Sequence, residues 1–156
     1  QRYAGWNRQI IVREILKGMK WKAAEQFSVP HNYLDDSGIL RKGSISAKKG
    51  ESVVIPANMR DGIILGMGKG NAVWNYSAPH GSGRKLRRDD VKNQYTVAAF
   101  KKEMKGIYSS CVSADTLDEA PFAYRSITEI AEQIRDTVEV TEIWKPVYNF
   151  KAGSRK

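Results

Sequence analysis

The sequence predicts an α+β domain with a mostly antiparallel β core flanked by helices. Three observations carry that expectation: an apolar stripe at helical spacing near the start, a middle part of short apolar or alternating runs broken by Gly and Asp turns, and two helix-capping signals in the second half.

Each element follows from its residues. Between Tyr3 and Lys17 the apolar residues Trp6, Ile10, Ile11 and Ile15 recur at helical spacing, and Gly18 follows where a left-handed C-cap residue would sit. Residues 38–42, 52–56 and 62–67 are apolar or alternating and are separated by KKGE and MRDG, which supply turn residues, so all three are expected as strands. Thr96 is placed to cap a helix that runs through Lys105 and ends at Gly106. Ser126 and Glu129 form a capping box ahead of IAEQIRD, which predicts a further helix. From Val138 to Phe150, β-branched and aromatic residues stand among polar ones; Pro146 cannot donate to a ladder and marks an edge or a bend.

The length of 156 residues is that of one domain with a real core, and no apolar run approaches the roughly 20 residues needed to cross a bilayer. Lys and Arg number 26 against 17 Asp and Glu, a formal net charge of +9, so polyanions such as RNA, DNA or nucleotides are the natural partners. Cys111 is the sole cysteine, which excludes an intrachain disulfide and a thiolate metal cluster within this sequence and fits a reducing, cytoplasmic setting. The sequence starts at Gln1 on residues that already suit a helix, with no signal-peptide core ahead of them, and is expected to be a portion of a longer chain.

Two histidines are present, His31 in SVPHNYL and His80 in SAPHGSGRKLRR, and each follows a proline. After His80 come Gly81 and Gly83, which let backbone approach a ligand closely, and then Arg84, Lys85, Arg87 and Arg88, which can neutralise phosphate oxygens. An imidazole nitrogen is a competent nucleophile at phosphorus when an acceptor holds its other nitrogen and cations share the phosphate charge. The same residues also fit a glycine-rich turn beside a solvated basic face. His31 is a candidate metal ligand, but a complete site needs at least three protein ligands, and the neighbouring Asp35 and Asp36 equally suit an exposed turn. GMGKGN, residues 66–71, lacks the spacing of a phosphate loop and is better explained as a turn. Trp74, Tyr76 and Tyr124 suit either base stacking or core packing, and Lys151, near Arg155 and Lys156, suits either a solvated tail or a nucleotide contact.

RKGSISAKKGE, VIPANM, NYSAPHGSGR, DEAPFAYR and KPVYNFKA occur in the order found in RtcB-type RNA ligases, from the NRQ of the first helix to Lys151. The sequence resembles the C-terminal portion of that catalytic domain over residues 1–156, in a shorter bacterial branch of the family. The resemblance implies that His80 attacks the α-phosphate of GTP and carries GMP, that Gly81, Gly83 and Arg84 surround that phosphate, and that His31 is one ligand of a catalytic Mn2+. It further implies that Asn32 lies near the nucleotide phosphates and that Tyr124 and Lys151 contact the guanine nucleotide. The implied substrates are RNA ends, a 2′,3′-cyclic phosphate or 3′-phosphate joined to a 5′-hydroxyl.

Two stretches depart from the family pattern: Arg87, Arg88 and Asp89 replace a serine-arginine-serine run, and ANMRDG follows VIP where small hydroxyl residues are usual. The family's other metal ligands, an aspartate, a cysteine and further histidines, belong to an N-terminal half absent from this sequence, and Cys111 does not match that cysteine. These 156 residues alone are therefore expected to bind manganese poorly and to be inactive without that half. A non-catalytic RNA-binding module of the same fold and a related nucleotidyltransferase that modifies RNA ends are the alternative readings.

Overall fold

The structure, a computed structural model, describes residues 2–150. The expected first helix is α1, Arg2–Met19. It runs through Gly18, and its end is set instead by Lys20, whose φ of 56° is left-handed. Trp21 N–H donates to Leu16 O at 2.9 Å and Lys20 N–H to Lys17 O at 3.2 Å, the two bonds of a Schellman cap. The assignment of Gly18 as the cap is corrected accordingly. No residue of α1 is buried, and its apolar stripe stays exposed.

Two short strands follow, β1 (Tyr33–Leu34) and β2 (Leu40–Arg41), paired antiparallel. The strand expected over 38–42 is thus reduced to two residues, because Asp35 accepts the Ser37 and Ile39 amides on Oδ1 and turns the chain just before it. Asp35 Oδ2 pairs with Arg41, a fully buried guanidinium. That contact holds the Asp35 carboxyl down at about 2. The strand β3 (Ser44–Ser46), unforeseen in the sequence, pairs antiparallel with β6 (Ser77–Pro79).

The largest sheet has the order β4-β5-β8 and is wholly antiparallel. Its first strand, β4 (Ser52–Pro56), matches the expected bounds, and β5 (Ile63–Gly68) is displaced by one residue. The third, β8 (Val138–Trp144), stops before Pro146. The glycines of GMGKGN are needed for packing rather than for phosphate: a Cβ on Gly66 would come 2.5 Å from Glu139 O, and one on Gly68 2.4 Å from Lys48 O. A parallel pair, β7 (Tyr108–Ser109) with β9 (Tyr148–Asn149), completes the strands among the described residues.

The helix α2 (Arg88–Gln94) was not foreseen; α3 (Val97–Glu103) and α4 (Ile127–Gln133) were. Thr96 Oγ1 accepts the Ala99 amide at 3.2 Å, and Ser126 and Glu129 make both bonds of the capping box. One hydrophobic cluster joins β3, β4, β5 and β6 to α4 through Ile45, Val53, Ile55, Ile64 and Ile130. A second joins α2 and α3 to the following turns through Val91, Phe100, Met104 and Leu117. The α+β class with mostly antiparallel strands is borne out. Among the described residues no helix is long and apolar enough to cross a membrane.

Candidate functional site

β6 delivers the chain directly into the HGSGR loop, which is fastened at its middle rather than at its ends. Ser82 is buried; its N–H donates to Pro56 O at 3.2 Å and its hydroxyl to Ala57 O at 2.7 Å, so the loop lies against the end of β4. Gly83 has a φ of 67°, and a Cβ there would meet the Arg125 guanidinium at 2.7 Å. The positive φ favours glycine at that point, while the Arg125 guanidinium, the end of a flexible side chain, can move aside.

His80 stands at the start of this loop with Nδ1 2.5 Å from Gly43 O. A carbonyl only accepts, so Nδ1 carries the proton, and in the neutral ring the lone pair resides on Nε2. The His31 ring stacks on the His80 ring, with centroids 4.8 Å apart and planes 17° from parallel. Beside it, Asn32 is left-handed at φ 62°, and its Oδ1 accepts the Gly43 amide at 2.7 Å. The N–H and C=O of one glycine therefore hold the two histidine loops in register.

The cleft in front of these rings has a volume of about 940 Å³. His31, Pro56–Met59 and Gly62–Ile63 line one part of it, His80–Arg84 another, and Glu119, Tyr124 and Trp144–Asn149 the rest. Arg84 donates to Asp118 O at 2.6 Å, to Glu119 Oε1 at 2.5 Å and to the Tyr124 hydroxyl oxygen at 2.8 Å, and its guanidinium lies 4.7 Å from the Tyr124 ring centroid. The Tyr124 hydroxyl donates to Glu119. Burial, then the hydrogen bond and negative charge of Glu119, push the phenol up to about 12 against the opposing pull of Arg84. Tyr124 is thus a neutral hydrogen-bonding group throughout the physiological range. Ion pairs also occupy two of the other cations after His80: Arg88 meets Asp118 and Glu119, and Lys85 meets Glu129 at 2.8 Å. The basic run is largely neutralised within the chain, which leaves Arg84 as its member on the cleft wall.

Of the residues singled out in the sequence, His31, His80, Gly81, Gly83, Arg84 and Tyr124 all line this cleft. Asn32 stands one step behind the wall, held by Gly43, and Lys151 lies outside the described residues. Sequence reasoning missed Glu119, Ser82, Asn58 and Asn149, which also line the cleft. Glu119 carried a signal in its place five residues before Tyr124 within DEAPFAYR.

Among the described residues no group of three or more His, Cys, Asp or Glu is placed to hold a metal ion. Asp35 is engaged with its own turn and with Arg41, and Cys111 is buried against Ser109. One imidazole does not make a coordination set, so the described residues do not by themselves fit a metal.

A glycine loop, an imidazole with its proton on Nδ1 and a guanidinium thus meet in one cleft. The profile of the family described as tRNA-splicing ligase RtcB matches residues 1–152, and the chain belongs to that family. It is 27% identical over 139 residues to an RNA-splicing ligase RtcB of Escherichia coli, covering 85% of this chain and 34% of the relative. It is 35% identical over 88 residues to a tRNA-splicing ligase RtcB of Aeropyrum pernix, covering 53% of this chain and 18% of the relative. The chain spans about a third of the length of the Escherichia coli relative.

Proposed function

We propose that this chain is the nucleotidyl-accepting part of a cytoplasmic, GTP- and manganese-dependent RNA ligase. The bond from His80 Nδ1 to Gly43 O carries the reading, because it fixes the tautomer that leaves Nε2 nucleophilic. In the first step Nε2 attacks the α-phosphorus of GTP; a P–N bond forms, the bond to the β-phosphate oxygen breaks, and pyrophosphate leaves. GMP then passes from His80 to an RNA 3′-phosphate, which is itself derived from a 2′,3′-cyclic phosphate where that is the end supplied. Attack by a 5′-hydroxyl joins the strands and releases GMP.

Arg84, held by Glu119 and Tyr124, lines the cleft with His80, as does a second cation, Lys145, and Gly81 and Gly83 let the backbone approach the phosphate. Asn32 acts through Gly43 by holding the His80 loop, and Lys151 completes the nucleotide contacts. Manganese would supply Lewis acidity and charge neutralisation. His31 is its one ligand from the described residues, the remainder belonging to the N-terminal half, and no step here is routed through it.

The test is intact mass of the full-length protein after incubation with GTP and manganese. A gain equal to GMP is expected, absent in His80→Ala. No gain in the unsubstituted protein would sink the ligase reading and leave a non-catalytic RNA-binding module; a gain with no joined RNA would instead mark an end-modifying nucleotidyltransferase.

A further inference from the structure

A second groove, about 480 Å³ in volume, lies between the β3–β6 pair, Trp74 and the C-terminal end of α4. We propose that it is a base-stacking subsite for the single-stranded flank of the RNA end that reacts at His80, with the Trp74 indole as the platform; the proposal rests on the ligase reading.

Trp74 is 57% exposed, yet it is held more firmly than an exposed loop residue needs to be. Asn71 starts its helical turn by accepting the Val73 amide at 3.0 Å and ties that turn to Asp136 O at 3.1 Å. Directly after Trp74, Asn75 and Tyr76 are both left-handed, at φ 49° and 53°; asparagine takes that conformation readily, whereas for a tyrosine it is uncommon. Both of their carbonyls face the buried Arg41 guanidinium, which donates to each at 3.4 Å and is itself anchored by Asp35. Core formation does not account for this expense, since neither Trp74 nor Tyr76 is buried. Strain of this kind is retained where a side chain must be presented in a set place.

What the turn presents is a flat aromatic face beside the polar side chains of Ser44 and Gln133, the mixed surface that suits a nucleobase; the Ser77 hydroxyl, engaged with Asn75 O and Arg41, shapes the wall. Lys69 and Arg135 are exposed on the segments that flank the turn, beside Asp136, and the chain as a whole carries +9. The groove and the cleft that holds His80 are lined by consecutive residues. Pro79 lines the groove and the next residue, His80, lines the main cleft. The chain from Trp74 to His80 spans at most about 20 Å, which sets the stacked base within about six nucleotides of the reacting end.

The experiment uses the full-length protein, with Trp74→Ala and Trp74→Phe beside the unsubstituted form. Kd is measured by fluorescence polarisation for single-stranded RNA of about four and about twelve nucleotides, bearing either a 3′-phosphate or a 5′-hydroxyl at the end to be joined, and the GMP adduct is read by mass in the same preparations. Trp74→Ala is expected to weaken the longer RNA about tenfold or more, and the shorter one less, while Trp74→Phe stays within about threefold of the unsubstituted protein and the adduct forms in all three. The arm that loses affinity tells which strand uses the groove. Unchanged binding by Trp74→Ala would overturn the subsite and leave the groove to a protein contact, and a Phe variant as weak as the Ala variant would make the position structural. Absence of the adduct from the unsubstituted protein would remove the ligase reading, and the proposal with it.

Discussion

From Arg2 to Gly43 the chain buries the side chain of Arg41 and no hydrophobic residue, whereas from Ile45 onward two clusters of apolar side chains are closed from water. The contrast falls across the site: His31 comes from the first region and His80 from the second. His80 is fixed by a loop bonded to the end of β4, so its position rests on the main sheet. His31 is fixed by what its neighbours reach across to, through ring stacking and the bond from Gly43 to Asn32. His80 is exposed but stands on a loop anchored to the main sheet, and His31 is attached to it.

This comparison breaks most readily through the cores. Phe100→Ala, at a fully buried position among Val91, Met104 and Leu117, is expected to lower unfolding stability by about 3–5 kcal/mol, while Ile10→Ala on the exposed stripe of α1 shifts it by less than about 0.5 kcal/mol. Urea titrations of the 156-residue chain compare the two, and a large effect from Ile10→Ala would show that α1, and not only Val29 of the first region, has a core contact. Next in size is Gly62→Ala. Its φ is 96° and the new Cβ would lie 2.0 Å from Trp144 O, so about 2 kcal/mol or more should be lost, with the cleft edge at Trp144 displaced. Ser126→Ala removes the cap of α4 and should reduce stability by about 1 kcal/mol, with no change in the mass of any adduct on His80.

Acid tests the first region on its own terms. The Arg41 hydrogen bond holds the Asp35 carboxyl at about 2, below its ordinary 3.8, so the folded state binds fewer protons than the unfolded one between those values. The stabilisation from Asp35 is complete above that window, declines as pH falls through it, and is gone below about 2. Asp35→Asn should flatten this part of the acid unfolding curve followed by circular dichroism.

The legible parts of the fold were those whose signal is local. Ser52–Pro56 alternates in and out of the core and was placed to the residue, and the Ser126–Glu129 box names its own helix. In α2 only Val91 is buried, so there was no apolar period to read amid the charges. The parallel contact of Tyr108 with Tyr148 spans two residues from distant segments, and nothing local encodes it. Lys20 ended α1 because the chain beyond Met19 supplies the Schellman bonds, against the usual preference for glycine. At the site, the two histidines and the glycine loop were visible through their motifs. The pairing of Arg84 and Arg88 with Asp118 and Glu119 was not, because sequence separation hides which carboxylate meets which cation.

Gly43 gives the site an order of assembly. Its amide needs Asn32 as acceptor, and its carbonyl selects the proton position on His80. Departure of the His31–Asn32 loop would free the turn whose carbonyl holds the His80 proton on Nδ1, and the lone pair would then exchange between the two ring nitrogens. The tautomer of one imidazole is thereby tied to the presence of the neighbouring loop, a logical conjunction enforced by a residue that has no side chain.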